Sequence, residues 1–175
     1  MRAASAVAVV IDVDRPPLQR ACIGLGANLG DARATLERAV AALAALPDSR
    51  LQACSGHYRS APVDAAGPDF INAVVLLDTR LAPLALLAAL QAIESAHGRE
   101  RPYRNAPRTL DLDLLLYGDA LIDLPTLQVP HPRGHQRAFV LAPLAEVAPG
   151  LVWPGCGAVE GLLAAVPDQP IERLP

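Results

Sequence analysis

Eleven consecutive residues, Arg108-Thr109-Leu110-Asp111-Leu112-Asp113-Leu114-Leu115-Leu116-Tyr117-Gly118, limit what this chain can fold into more than any other stretch. A short run of branched and aromatic residues closed by a Gly118-Asp119 turn predicts a buried β-strand. Side chains on a strand alternate faces, so Asp111 and Asp113 project together, while Leu110, Leu112, Leu114 and Leu116 project oppositely into a core. Two carboxylates side by side repel each other, and apolar neighbours make them costlier to ionise. A divalent cation removes that cost. Hard oxygen donors favour Mg²⁺, which keeps several waters and binds through one or two carboxylates plus substrate phosphates. A half-exposed strand whose acids face water accounts for the doublet equally well, so the surrounding chain must decide.

A chain of 175 residues is one domain by length, and 52% hydrophobic against 19% charged residues excludes a disordered chain. No apolar run in the sequence reaches the length of a membrane-spanning helix. A net charge of -3 gives no bulk attraction to nucleic acid or to an anionic membrane. All 15 cationic side chains are Arg, so phosphate contacts must come from guanidinium groups or backbone N–H, and a Walker-type lysine is excluded. Cys22, Cys54 and Cys156 have no CxxC spacing, which points to reduced thiols in a cytoplasmic protein. Asp12 and Asp14 interrupt the apolar run after Arg2, against a secretory signal. Residues 1–19, ending in Arg15-Pro16-Pro17, read as an N-terminal extension whose order the sequence leaves open. Residues 20–175 read as the single domain.

Ala21 to Gly26 predicts a strand running into a glycine-rich turn, Gly24 to Gly30. Leu29 stands where the dinucleotide fingerprint GxGxxG needs its third Gly, so a loop needing tight geometry explains the segment as well. Asp31 caps a predicted helix with an apolar stripe of Leu36, Val40, Leu43 and Leu46, ended by Pro47. Residues 50–60 read as one strand. Asp69 to Thr79 reads as another, with Phe70, Asn72, Val74 and Leu76 on one face and Ile71, Ala73, Val75 and Leu77 on the other. Pro83 and Gly98 bracket a helix from Leu84 to His97, from which Gln91 and Glu94 project together.

Arg99, Arg101, Arg104 and Arg108 then fall within ten residues, just before the acidic strand. They suit an anion clamp, with a solvated basic loop as the plainer alternative. Carboxylates for a metal beside Arg for phosphate is what phosphoryl transfer needs. Ile122 to Val129 reads as extended, Pro130-His131-Pro132 as a rigid turn, and a helix runs through Ala148. His131 and His135 are four apart, but Pro132 and Gly134 oppose the helix that would align them on zinc. The order strand, helix, strand, strand, helix, strand predicts an α+β fold. It fits a ferredoxin-like split βαβ sandwich, its mainly antiparallel sheet flanked by helices.

Several of these segments occur together, in order and with sensible spacing, across about residues 20–155. They are Gly24 to Gly30, Tyr58-Arg59-Ser60, Asp69-Phe70-Ile71-Asn72-Ala73, Gln91 through Glu94, Gly98-Arg99, Pro107-Arg108-Thr109-Leu110-Asp111-Leu112-Asp113-Leu114, Val129-Pro130-His131-Pro132, Arg137-Ala138-Phe139 and Pro143-Leu144. So arranged, the chain resembles the 6-hydroxymethyl-7,8-dihydropterin pyrophosphokinases of folate biosynthesis, most specifically in its Pro-Arg-Thr-Leu-Asp-Leu-Asp block.

The resemblance implies transfer of the β,γ-pyrophosphoryl unit of ATP to the hydroxymethyl group of a reduced pterin, with release of AMP. It implies a pair of Mg²⁺ ions on Asp111 and Asp113, and catalytic phosphate-handling arginines at Arg99 and Arg108. Arg101 stands near them and Arg137 on the nucleotide side. Adenosine contacts fall on Gln91, Glu94 and His131, and pterin contacts on Ser60, Phe70, Asn72 and Phe139. The expected partners are small molecules only, with no nucleic acid and no membrane, for a monomeric cytoplasmic enzyme.

The residues support one part of this independently. The chain has only 2 Phe, both at pterin positions, and a flat heterocycle can stack between two rings. The chain departs from the family pattern at three places. Asn105 replaces a loop Trp, leaving Tyr103 as that loop's aromatic; Pro132 replaces an aromatic; and Thr126 replaces a nucleotide-side Arg. Two other classes remain: a non-catalytic binding module, and a dinucleotide enzyme built on the Gly24–Gly30 loop.

Overall fold

The structure, a computed structural model, describes residues 16–63, 66–98 and 109–175. Its elements begin with β1 (Gln19–Ala27), α1 (Ala32–Ala44), β2 (Ser49–Cys54), β3 (Tyr58–Ser60), β4 (Phe70–Thr79), α2 (Pro83–Ala96) and β5 (Asp111–Tyr117). They continue with β6 (Ile122–Leu124), β7 (Leu127–Val129), α3 (Ala138–Val147), β8 (Val152–Trp153), β9 (Gly157–Ala158), α4 (Val159–Ala164) and β10 (Ile171–Arg173).

β4 is long enough to take two partners along one side. β2 pairs with its second half and β3 with its first, while β1 runs the whole length of the other side. The main sheet reads β10-β3-β4-β1-β5, with β2 also on β4, and every pairing is antiparallel. Helix α1 joins β1 to β2 with β4 between them, and α2 joins β4 to β5 with β1 between them. This is the expected split βαβ arrangement.

Local signals set the helix ends. Asp31 Oδ1 accepts the Ala34 N–H at 3.0 Å at the start of α1. Pro83 sits in the first turn of α2, and Gly98 beyond its end has φ +73°, which glycine adopts without strain.

The two sheet faces bury two cores. Ile23, Leu25, Val75, Leu77, Leu112 and Leu114 pack on Leu36 and Leu43 of α1 and Leu86 and Leu90 of α2. Cys22, Val74, Leu76 and Leu115 pack on Val140, Leu141 and Leu144 of α3, with Trp153 beneath. Each such Leu, fully buried, contributes about 1.5–3 kcal/mol before the entropy of ordering the chain is subtracted.

Four details differ from the sequence expectation, the first being that Ile122–Val129 folds back as the antiparallel β6–β7 hairpin instead of one extended stretch. Residues 50–60 form two strands because the ladder to β4 stops at Cys54 and resumes at Tyr58, with Ser55 holding Val74 through its N–H and its hydroxyl in between. Leu116 joins the second core, because Leu114 and Leu116 pair with adjacent residues of β1 (Ile23 and Cys22). The extra residue is a β-bulge, and beyond it the alternation of faces inverts. Finally, β1 continues through Ala27, so Gly24 and Gly26 lie inside a strand, and the turn follows at Gly30, φ +60°.

Candidate active site

Helix α3 covers only the half of the second face that carries Val74, Leu76 and Leu115. The other half is organised by register. Gly26 pairs with Asp111 on one side and Asn72 on the other, and Asn72 pairs in turn with Tyr58. The next row is Asp113, Gly24 and Val74. Adjacent strands lie about 4.8 Å apart, so the β5 carboxylates and Asn72 stand about 10 Å apart across β1. Between them β1 has no side chain. A Cβ at Gly26 would project toward Asn72 Oδ1 at 3.4 Å and Phe70 Cδ1 at 3.8 Å, and one at Gly24 toward Leu115 at 3.5 Å. The result is a trough with a glycine floor, an acidic bank and an amide bank.

The amide bank is tightly set. Asn72, buried, donates from Nδ2 to Ser60 Oγ at 2.8 Å and to the Tyr58 carbonyl at 3.3 Å. Both amide hydrogens are therefore used by β3, and Oδ1 turns toward Gly26. Phe70 on β4 and Phe139 in the first turn of α3 are both half-buried, and the Arg137 guanidinium lies 5.5 Å from the Phe139 ring centroid.

Along the acidic bank, Asp111 and Asp113 are half-buried on one face of β5. The buried carboxylate of Glu94 reaches from α2 to accept the Leu112 N–H at 2.8 Å. That bond pins the backbone between the two aspartates. It also shows that the Leu112 backbone faces away from β1, and Leu114, two residues on, shares that direction. A cavity of about 660 Å³ opens there, between β5 and the β6–β7 hairpin, bordered by Asp113, Leu114, Thr126 and His131.

His131 closes the cavity's near end. Its N–H donates to the Leu115 carbonyl at 2.8 Å, and its Nδ1 accepts the Arg133 N–H at 3.2 Å. Burial, helped by nearby Arg137 and Arg133, pushes its pKa down to about 4, with Asp111 pulling weakly the other way. The ring is neutral at pH 7, and with Nδ1 accepting, Nε2 carries the proton. His135 packs instead against Trp153, ring centroids 6.1 Å apart.

Residues 22–149 match the 7,8-dihydro-6-hydroxymethylpterin-pyrophosphokinase (HPPK) family. The chain belongs to this family. It is 52% identical over 159 residues to a 2-amino-4-hydroxy-6-hydroxymethyldihydropteridine pyrophosphokinase of Pseudomonas aeruginosa, covering 90% of this chain and 98% of that protein. The enzyme of that name from Methylorubrum extorquens is 44% identical over 158 residues, covering 90% and 99%. Among solved structures, a Plasmodium falciparum HPPK-DHPS with pteroate superposes with TM-score 0.70 at 12% identity, over 85% of this chain and 44% of that one. This chain spans less than half the length of that HPPK-DHPS chain, and the likeness is one of fold.

Of the residues an HPPK resemblance singles out, the structure brings Asp111, Asp113, Ser60, Phe70 and Asn72 onto one sheet face. His131 borders the cavity at its edge. Gln91 is exposed on α2, and Glu94, 1% exposed, meets the backbone of β5. Arg99, Arg101 and Arg108 lie outside the described residues, as do Tyr103 and Asn105. The sequence reading missed the glycine floor and the cavity wall formed by the β6–β7 hairpin. The Gly24-x-Gly26 alternation, in phase with Asp111-x-Asp113, was the available signal for the floor.

Proposed function

We propose that the trough over Gly24 and Gly26 is where the HPPK reaction takes place in this chain, with Asp111 and Asp113 on one bank and the pterin on the other. The chain is an ATP-dependent pyrophosphokinase of folate biosynthesis, transferring diphosphate to hydroxymethyldihydropterin. The observation that carries the assignment of the site is the row Asp111–Gly26–Asn72. It sets a carboxylate and an amide acceptor on opposite sides of an open strip about two strand spacings wide.

Asn72 Oδ1 would accept an N–H of the pterin ring, Ser60 would support it, and Phe70 and Phe139 would take its faces. The donor set on β5, two hard carboxylates on one strand face, suits Mg²⁺. Asp111 and Asp113 would hold the two ions proposed here, which when bound offset the phosphate charge and polarise the transferred phosphorus. The triphosphate would lie over Gly26, where the missing Cβ allows close approach to the backbone, while at Gly24 the missing Cβ makes room for Leu115.

The nucleoside would occupy the 660 Å³ cavity, with the outward backbone of Leu114 offering one donor and one acceptor to a base. Gln91 would contact the adenosine from α2, and Glu94 would act there through the Leu112 backbone that it holds. His131 Nε2–H would contact the adenosine at the edge of that cavity, and Arg137 would stand on the nucleotide side. Arg99 and Arg108, with Arg101 beside them, would spread the charge that builds on the transferred and leaving groups. Positioning then replaces a side-chain base, as in much phosphoryl transfer. No helix among the described residues is long and apolar enough to cross a membrane. A monomer in the cytoplasm, with small-molecule partners only, is the assembly proposed.

The test is AMP release from ATP in the presence of Mg²⁺ and hydroxymethyldihydropterin. Release should stop when either is left out, and should fall about 10²-fold or more in Asp111→Asn with Asp113→Asn. A double variant that turns over at the parental rate would remove the acidic bank from the reaction.

A further inference from the structure

Ser60, on which the amide bank depends, belongs to β3, a strand of only 3 residues. One side of β3 pairs with β4. The other pairs with the C-terminal strand, Ile171 opposite Ser60, Glu172 opposite Arg59 and Arg173 opposite Tyr58. A single carboxylate from a third element ties this edge together. Glu146, in the last turn of α3, accepts the Tyr58 hydroxyl on Oε2 at 2.5 Å and the Gly56 N–H on Oε1 at 3.0 Å. The Arg173 guanidinium donates to the same two oxygens at 3.3 and 3.2 Å, and Leu174 N–H adds a bond to the His57 carbonyl at 2.8 Å.

The guanidinium also lies close over Gly56, where a Cβ would come within 2.9 Å of Arg173 Nη2. The Arg173, Tyr58 and Gly56 bonds hold the Glu146 carboxyl down at about 2, while burial and Glu146 push the Tyr58 phenol up to about 12. The charge pattern is therefore constant across neutral pH. The Tyr58 carbonyl and Ser60 Oγ are the two acceptors that fix the amide of Asn72. Any loosening of β3 therefore reaches the trough as a rotated or mobile Asn72.

We propose that Glu146, Tyr58 and Arg173 are positioning residues for the pterin: by clamping β3 between α3 and the C-terminal strand, they preset Ser60 and Asn72. The inference rests on reading Ser60 and Asn72 as the pterin's partners. It adds residues from both ends of the fold that no pterin contact would reveal. The acidic bank and the nucleotide cavity lie on the far side of β1, so the clamp acts on one substrate and not the other.

The experiment measures hydroxymethyldihydropterin and Mg²⁺–ATP separately on the full chain, by calorimetric affinity and by KM, below the thermal midpoint of each variant. Glu146→Gln should weaken pterin affinity and raise its KM about tenfold, the scale of a lost charge-assisted bond, with the KM for ATP within about twofold. Arg173→Ala should shift the pterin values the same way, and Arg173→Lys should recover most of the loss by keeping one charged bond. A purely structural role would lower the thermal midpoint and folded fraction and leave the ratio of the two KM values unchanged; that outcome overturns the proposal. If Glu146→Gln does not fold, Tyr58→Phe removes one hydroxyl only and carries the same expectation. Ser60→Ala and Asn72→Ala are the control for the site itself. If they leave pterin affinity unmoved, the assignment of the pterin to this trough falls, and the clamp falls with it. If they weaken it and the clamp variants do not, only the clamp falls.

Discussion

His131 is neutral in the folded chain because burial and two neighbouring guanidinium groups disfavour its cation. Its pKa of about 4 lies below the ordinary 6.5, so between those values the unfolded chain binds more protons. Stability should therefore fall as pH drops through that window, by at most on the order of 3 kcal/mol. Urea unfolding near pH 7 and near pH 4.5 would show the loss, and His131→Gln should remove most of it. Glu146 acts lower on the scale. Its carboxyl is held near 2, so its contribution is present above the ordinary 4.5 and lost as pH falls from there toward 2. A second falling limb below pH 4.5 should accordingly disappear in Glu146→Gln. If both variants keep the parental profile, the protons are taken up elsewhere.

At the level of the element, β1 is the unusual strand. Its residues facing the helices α1 and α2 are Ala21, Ile23, Leu25 and Ala27, all buried, whereas two of those on the opposite face are glycine. Glycine weakens a strand interior by roughly 0.5–1 kcal/mol relative to alanine, so the pair costs stability and leaves the trough open. Gly26→Ala should therefore separate the two properties. The added methyl meets only ordinary contacts, 3.4 Å to Asn72 Oδ1 and 3.8 Å to Phe70, so the thermal midpoint should hold or rise. It also stands between the acidic and amide banks, so kcat/KM should fall by about a hundredfold. A variant that loses stability and keeps activity would mean that nothing needs the space above β1.

For the whole molecule, two cores on opposite faces of one sheet divide the labour. The core under α1 and α2 meets the nucleotide cavity through Leu112, Leu114 and Leu127, whereas Leu43 does not border it; the core under α3 abuts the trough through Leu115, whose side chain lies over Gly24. Leu43→Ala in the first core should cost about 2–5 kcal/mol of stability and leave kcat/KM unchanged well below the thermal midpoint. Leu115→Ala should cost a similar amount and also reduce kcat/KM, because the strand carrying Asp113 loses its packing on that side. Denaturant unfolding with steady-state kinetics on both variants would check the contrast. Equal kinetic effects would show that the sheet transmits disturbance across its thickness.

The alternation Asp111-Leu112-Asp113-Leu114, the Asp31 cap, the Pro83 and Gly98 boundaries and the two faces of β4 were legible from the sequence. Each is a property of neighbours a few residues apart, where the geometry of one strand or helix decides which way a side chain points. The tertiary structure alone decided which strands stand beside which. Pairing register brings Gly26 between Asp111 and Asn72, a bulge turns Leu116 over, and a ladder interrupted between Cys54 and Tyr58 makes two strands of one. It also joins Glu146 to Tyr58, 88 residues away, and Arg173 to both. Local periodicity carries no record of such pairings, because a strand of given pattern can pair with any complementary edge until packing of the whole sheet selects one.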